Sequence, residues 1–220
     1  KIHLSKIKYI LKKADKLNIT EIMNGYILTP TANTNGWVVY ENDISIDYKE
    51  FFKGELLPSE ELPLFYNIPK RSNLKKIKSA VLLESAGPEL VCKRLKDVLE
   101  SLTGDIQFFD VDLFCGDEKV EGFYAMNLPH RMKCVDLENS EFRLMNFDRN
   151  NPDYMFYYMK LRKNIFNDNN AYVVRCEEMH RSIVVSENVK IALFETGLKG
   201  LQFSDSVDIT PQERSIYERI

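Results

Sequence analysis

The sequence has no uncharged apolar run of the roughly 18 residues that a membrane-spanning helix needs. Residues 1–16 form a charged, amphipathic stretch that predicts a helix and lacks the apolar block of a signal peptide. Both absences favour a cytoplasmic protein without a membrane partner. With 44% hydrophobic and 29% charged residues, the 220-residue chain has the composition of an ordered globular protein.

Glycine is sparse, and the nine glycines are spread along the chain. Neither of the glycine-rich phosphate-binding motifs, G-x-G-x-x-G and G-x-x-x-x-G-K-[ST], occurs, and there is no G-x-S-x-G nucleophile elbow. We therefore expect no nucleotide cofactor, and none of any other class.

An excess of basic residues is also missing. The net charge is −3 and the isoelectric point is near 5.8, which argues against a nucleic-acid partner because phosphate neutralisation needs concentrated lysine and arginine. The charge is uneven, with about +4 on residues 1–80 and about −7 on the remainder. The acidic part is the larger one.

Cysteine is scarce and scattered, with four residues and no C-x-x-C pair, so reduced structural thiols are expected. His130 with Cys134 and Cys176 with His180 have a spacing that suits zinc on a helix. On a strand, residues four apart are separated by roughly 13 Å and cannot share one ion. We therefore expect no metal, while a Cys–His dyad stays an alternative because its partners need only be close in space.

An internal repeat is the most informative feature that is present. Residues 90–113 and 184–208 each predict a strand, a capped helix, a glycine stop and a second strand. With one residue of slack, the two copies share five identical positions: Lys96 and Lys190, Leu99 and Leu193, Gln107 and Gln202, Phe108 and Phe203, and Asp110 and Asp205. The pattern indicates an α+β fold, with a mixed or antiparallel sheet, this strand–helix–strand repeat and flanking helices.

The proline-containing stretch 58–78 suggests two parts: residues 1–78, a helix and hairpin layer packed on the rest, and residues 79–220, the main domain. The hairpin is predicted from Trp37–Tyr40 and Ile44–Tyr48. At the other end, Thr210-Pro211-Gln212-Glu213 has the form of a capping box and predicts a short terminal helix.

Acidic side chains surround a predicted hairpin that runs from Ile106–Phe114 through Cys115-Gly116-Asp117-Glu118 into Val120–Leu128. Phe109, Val111 and Leu113 would share its inner face. Such charges often only solvate a sheet edge, but they would also attract a cationic partner. The candidate partner-binding residues are Asp110, Asp112, Asp117, Glu118 and Glu121.

The aromatic run Tyr154–Tyr158 has three interpretations. With the neighbouring Lys160, Arg162 and Lys163 it could stack nucleic-acid bases, or it could form a protein-binding patch. A half-buried strand is favoured over both.

The order of these motifs resembles the immunity protein 11 and immunity protein 43 families of bacterial polymorphic-toxin systems. The resemblance rests on Leu90-Val91, Arg94-Leu95-Lys96-Asp97, Gly122–Asn127, Cys134-Val135-Asp136, Ile183–Glu187 and Gly197–Phe203, and it covers roughly residues 56–208. It implies a non-catalytic protein that binds and neutralises a cognate toxin delivered by neighbouring cells. The alternative is a small hydrolase or transferase with an unrecognised Cys–His or carboxylate site.

Overall fold

The computed structural model describes residues 24–58, 63–104, 106–146, 148, 152–166, 172–210, 212 and 214–220. The predicted helix in residues 1–16 lies outside these ranges. Within them, none of the helices combines the length and the hydropathy that a bilayer crossing requires.

The described residues form an α+β fold with strands in four sheets. The α-helices are α1 (Leu74–Ser79), α2 (Lys93–Leu102) and α3 (Glu187–Glu195). The strands are β1 (Gly25–Pro30), β2 (Val39–Tyr40), β3 (Phe65–Asn67), β4 (Leu82–Leu83), β5 (Leu90–Cys92), β6 (Gln107–Asp110), β7 (Asp112–Cys115), β8 (Glu118–Lys119), β9 (Phe123–Asn127), β10 (Arg131–Met132), β11 (Glu141–Leu144), β12 (Tyr154–Lys160), β13 (Val173–Cys176), β14 (Ile183–Ser186), β15 (Leu201–Ser204), β16 (Ser206–Asp208) and β17 (Glu218–Arg219).

Both copies of the repeat form the strand–helix–strand unit that the sequence predicts. The first sheet has the order β4-β5-β9-β6, and the second has the order β10-β13-β14-β1-β15-β17. In each copy the two repeat strands flank a third strand and run antiparallel to it: β5 and β6 flank β9, while β14 and β15 flank β1. The middle strand follows the unit in the first copy and precedes it in the second.

The register of the two sheets agrees with the sequence alignment of the repeat. Phe108 lies opposite Met126 on β9, and its counterpart Phe203 lies opposite Leu28 on β1. The same alignment makes Tyr124 equivalent to Tyr26, which lie opposite Val91 and Val185. The repeated lysines contact these tyrosines, with Lys96 Nζ at 5.1 Å from the Tyr124 ring centre and Lys190 Nζ at 3.7 Å from that of Tyr26. A cation over an aromatic face is attractive, so each unit has the same helix-to-strand contact.

The central core lies between the two units. Successive strand residues point to opposite faces of a sheet. One face of each main sheet therefore packs on the helices, and the opposite face points away from them. Helix residues Leu95, Leu99, Val189 and Leu193 meet strand residues of both sheets in this core. The two units therefore share one hydrophobic interior.

A smaller sheet covers the outer face of each main sheet. The third sheet (β2-β3-β7-β8) and the 3-10 helix Tyr48–Phe52 pack on the first sheet, where Leu83 and Ala125 point outward. The fourth sheet (β11-β12-β16) packs on the second, through Val174 and Val184. In both units the chain passes directly from a main sheet into the covering sheet, at Val111 and at Asp205.

The N-caps of the two repeat helices differ because one is a serine and the other a cysteine. The Ser186 hydroxyl accepts a hydrogen bond from the Val189 amide at the start of α3. Cys92 occupies the equivalent position of α2 and accepts none. The second helix of the repeat is therefore the better capped one.

Two sequence predictions are wrong. Residues 37–48 do not form a hairpin, because β2 pairs with β3 while Asp47 caps the 3-10 helix through the Lys49 amide. Residues 214–220 are not helical, because Arg214 binds Asp208 and Glu141 and the chain then pairs along β15 as β17. The division at residue 79 stays a prediction; across it, β1 and β3 pair with strands of the larger part.

Candidate functional site

The predicted acidic hairpin forms between β7 and β8, with Gly116 and Asp117 as its two-residue loop. Gly116 has a φ of 61°, a conformation that favours glycine at the first position of a tight hairpin turn. The predicted strand Ile106–Phe114 is broken at Val111, where the chain leaves the first sheet for the third. The core between the first and third sheets nonetheless contains Phe109, Val111 and Leu113, and this arrangement directs Asp110 away from that core.

The structure separates the five candidate acids into two groups. Asp112 pairs with Lys119 at 2.6 Å, and the pKa of Lys119 is raised by Asp112 first and then by Glu121 and Asp110. These three acids therefore surround one lysine. Asp117 is exposed in the turn.

Glu118 instead binds two cationic side chains, one just before α1 and one within it. Its carboxylate lies 2.8 Å from Lys78 and 3.1 Å from Arg71. Both cations lower the pKa of Glu118, and Lys78 has the larger effect. Part of the acidic charge is thus balanced within the chain. In the described residues, Asp110, Asp117 and Glu121 make no ion pair.

Two of the cysteines considered for zinc or dyad chemistry, Cys134 and Cys176, lie together in the core between the second and fourth sheets. Cys134 and Cys176 are fully buried, and a hydrogen bond to Cys176 together with burial raises the pKa of the Cys134 thiol. Cys176 Sγ contacts Glu178 at 3.4 Å. The His180 ring lies against Phe52, and burial and nearby arginines lower its pKa. Buried thiols of raised pKa are poor nucleophiles, and in the described ranges no three His, Cys, Asp or Glu residues are grouped to hold a metal.

A buried ion pair that the sequence did not reveal links the start of β5 in the first sheet to β13 in the second sheet. Glu89 precedes β5 of the first unit, and its carboxylate accepts two hydrogen bonds from Arg175 of β13, at 3.0 and 2.8 Å. Arg175 is 0% exposed and Glu89 is 6% exposed. The guanidinium also donates to the His180 carbonyl oxygen at 2.9 Å and lies 4.7 Å from the Phe52 ring centre.

A polar cavity of about 370 Å³ lies beside β1 and β15. Among the described residues that line it, Glu84 is the one acid, and neither histidine nor cysteine is present. Burial, followed by the charge of Glu89, raises the pKa of Glu84. The described part of the lining therefore combines one carboxyl of raised pKa with hydroxyl and amide groups, among them those of Ser204 and Gln202.

The aromatic run is a half-buried strand, as favoured by its sequence. On β12, Phe156 is buried in the core between the second and fourth sheets, while Met155 and Tyr157 are exposed. Tyr154 stacks on Phe156 with 5.5 Å between ring centres. The inward rings thus serve packing.

The family model of the immunity protein family Imm11 matches residues 17–208. The chain belongs to the Imm11 immunity protein family. This match extends the sequence resemblance, which began near residue 56, to include β1 and β2. A search of curated proteins found no match to the chain. The family membership supports a toxin-neutralising immunity function.

Proposed function

We propose that this Imm11 family member binds a cognate bacterial toxin delivered by neighbouring cells and neutralises it by protein–protein contact, without catalysis. The observation that carries the proposal is the family match over residues 17–208. The non-catalytic mode is supported by the buried thiols of Cys134 and Cys176, because a buried thiol is a poor nucleophile. Four unpaired cysteines favour action in the reducing cytosol of the producing cell.

For the contact surface we propose the acidic hairpin, with Asp110, Asp117 and Glu121 as the residues that meet a cationic toxin. These three carboxylates are exposed, and no ion pair of the described residues neutralises them. Asp112 and Glu118 belong to the same surface but hold Lys119, Arg71 and Lys78. An unbalanced acidic field accelerates association with a cation more than it stabilises the complex.

Co-expression with the product of the adjacent upstream reading frame tests the function. We expect the two proteins to co-purify and the chain to protect cells in which the toxin is induced. If no complex forms and cells die at the same rate with and without the chain, toxin neutralisation by contact is wrong. An upstream metabolic gene in place of a toxin gene would favour the hydrolase or transferase alternative.

The surface is tested by the triple variant Asp110→Asn, Asp117→Asn, Glu121→Gln. We expect its association rate with the toxin to fall by about tenfold at low ionic strength and to depend less on salt. The matched control replaces three exposed acids elsewhere, Asp43→Asn, Glu138→Gln and Glu195→Gln, and gives the same net charge. Equal slowing in both triples would mean that net charge, and not the hairpin, determines the rate.

A further inference from the structure

A second cavity, also of about 370 Å³, lies between α1, the end of β1 and the start of β4. Pro30 of β1 and Ala32 just after it line one side, and Val81 and Leu82 at the start of β4 line another. Trp37 forms another part of the wall. Apolar walls of this kind suit an aliphatic or aromatic side chain.

The rim of this cavity is basic. Lys76 of α1 and Lys199, which precedes β15, line the opening, and Lys76 Nζ lies 5.7 Å from the Trp37 ring centre. No acid is among the described residues that line it. Both lysines are exposed, and neither forms an ion pair with any residue that the structure describes. Lys78, another exposed lysine of α1, pairs with Glu118.

We propose that this cavity is an anchor site for the toxin partner, which takes an apolar side chain flanked by a carboxylate. The apolar walls receive the side chain, and the two lysines receive the carboxylate. The assignment rests on the proposed function for the identity of the partner, and it adds a basic contact to the acidic hairpin. Lys76 and Lys78 lie on one helix, so α1 separates the cavity from the hairpin and a single partner surface of mixed charge would meet both.

Trp37 gives a direct readout because it is the only tryptophan of the chain. The probe is the peptide acetyl-Glu-Leu-Glu-amide, which has no fluorophore, and the control probe is acetyl-Lys-Leu-Lys-amide. We expect the acidic peptide to change Trp37 emission saturably at concentrations up to about 10 mM, as a Kd of about 1 mM requires. The basic peptide should leave the emission unchanged.

The double variant Lys76→Glu, Lys199→Glu should lose the response to the acidic peptide. The single charge reversal Lys75→Glu, on the same helix but outside the lining, should keep it. A missing response in the unaltered protein, an equal response to the basic peptide, or an equal loss in the control variant would overturn the anchor site.

Toxin affinity, measured by isothermal titration calorimetry, tests the identity of the partner. The double variant should bind the co-purifying toxin at least tenfold more weakly than Lys75→Glu does. Unchanged affinity would overturn the cavity as a toxin contact even where the toxin complex itself forms. The peptide measurement needs no toxin, so failure of the cavity and failure of the neutralising function give different results.

Discussion

Removing the Glu89 carboxylate tests the buried contact between the first and second sheets. In Glu89→Ala the Arg175 guanidinium keeps its position on β13 but loses both of its hydrogen bonds to carboxylate oxygens. Arg175 is 0% exposed, so water cannot replace the lost partner without separating the two sheets locally. The remaining contacts are one carbonyl oxygen, of His180, and the face of Phe52.

Breaking a buried pair by removing one partner costs about 3–5 kcal/mol of unfolding free energy. For a chain of this size each kcal/mol lowers the melting temperature by about 2–4 °C, so we expect Glu89→Ala to melt about 6–20 °C lower. The pair itself has less net value, because Arg175 Nε is buried without a hydrogen-bond partner among the described residues. The apolar double variant Glu89→Leu, Arg175→Met should therefore lie within about 1 kcal/mol of the unaltered protein or above it.

Urea denaturation followed by circular dichroism measures these differences. Asp97→Ala is the control, since its exposed i,i+4 pair with Lys93 contributes only about 0.3–0.5 kcal/mol. The reasoning fails if Glu89→Ala loses less than about 1 kcal/mol, which would mean that the guanidinium finds water. It also fails if the apolar double variant loses as much as the single variant, which would mean that the ion pair has no apolar substitute.

Two further predictions concern the helix caps and Glu84. Cys92→Ser should add about 0.5–1 kcal/mol to the unfolding free energy, because it gives α2 the serine cap that α3 has. Ser186→Ala should remove about 1 kcal/mol. Chemical denaturation measures both changes, and a loss of stability in Cys92→Ser would refute the cap argument. The pKa of Glu84 in the folded protein is raised above its ordinary 4.5. Between the unfolded-state and folded-state pKa the folded protein binds more protons than the unfolded chain, so its stability falls as pH rises through that window. Glu84→Gln should abolish this fall, and urea denaturation at several pH values across the window tests the prediction.

The repeat units were predictable because their signals are local. Apolar spacing, glycine stops and the Ser186 cap lie within about 25 residues of each other, and they defined both helices and their strands. The middle strand β9 was predicted within Val120–Leu128, the second arm of the hairpin, and it pairs with β6. The middle strand β1 was not assigned, because strand pairing over long distances has no local signal. A weak signal existed in the similarity of Tyr26-Ile27-Leu28 to Tyr124-Ala125-Met126, which occupy equivalent registers.

The candidate site was predictable only as a set of residue types. Alternation placed Phe109, Val111 and Leu113 inward and Asp110 outward, as the structure has them. The balance of charge was missed, because Arg71 and Lys78, which hold Glu118, belong to a stretch assigned as a connection. Arg175 and Glu89 were missed for the same reason: each is a single residue, and only the fold brings them together.

The position of β1 determines when each sheet can be completed during synthesis. Every strand of the first sheet lies between Leu82 and Asn127, so the ribosome releases its complete set early. β1 is translated before any of them, yet both of its neighbours lie beyond Ile183, and it waits while the 152 residues 31–182 are added. Pairing across such a separation is slow. In a chain whose synthesis stops before Ile183, both edges of β1 would be unpaired and accessible to strands of other chains. The incomplete protein would therefore be prone to aggregate through the unfinished second sheet.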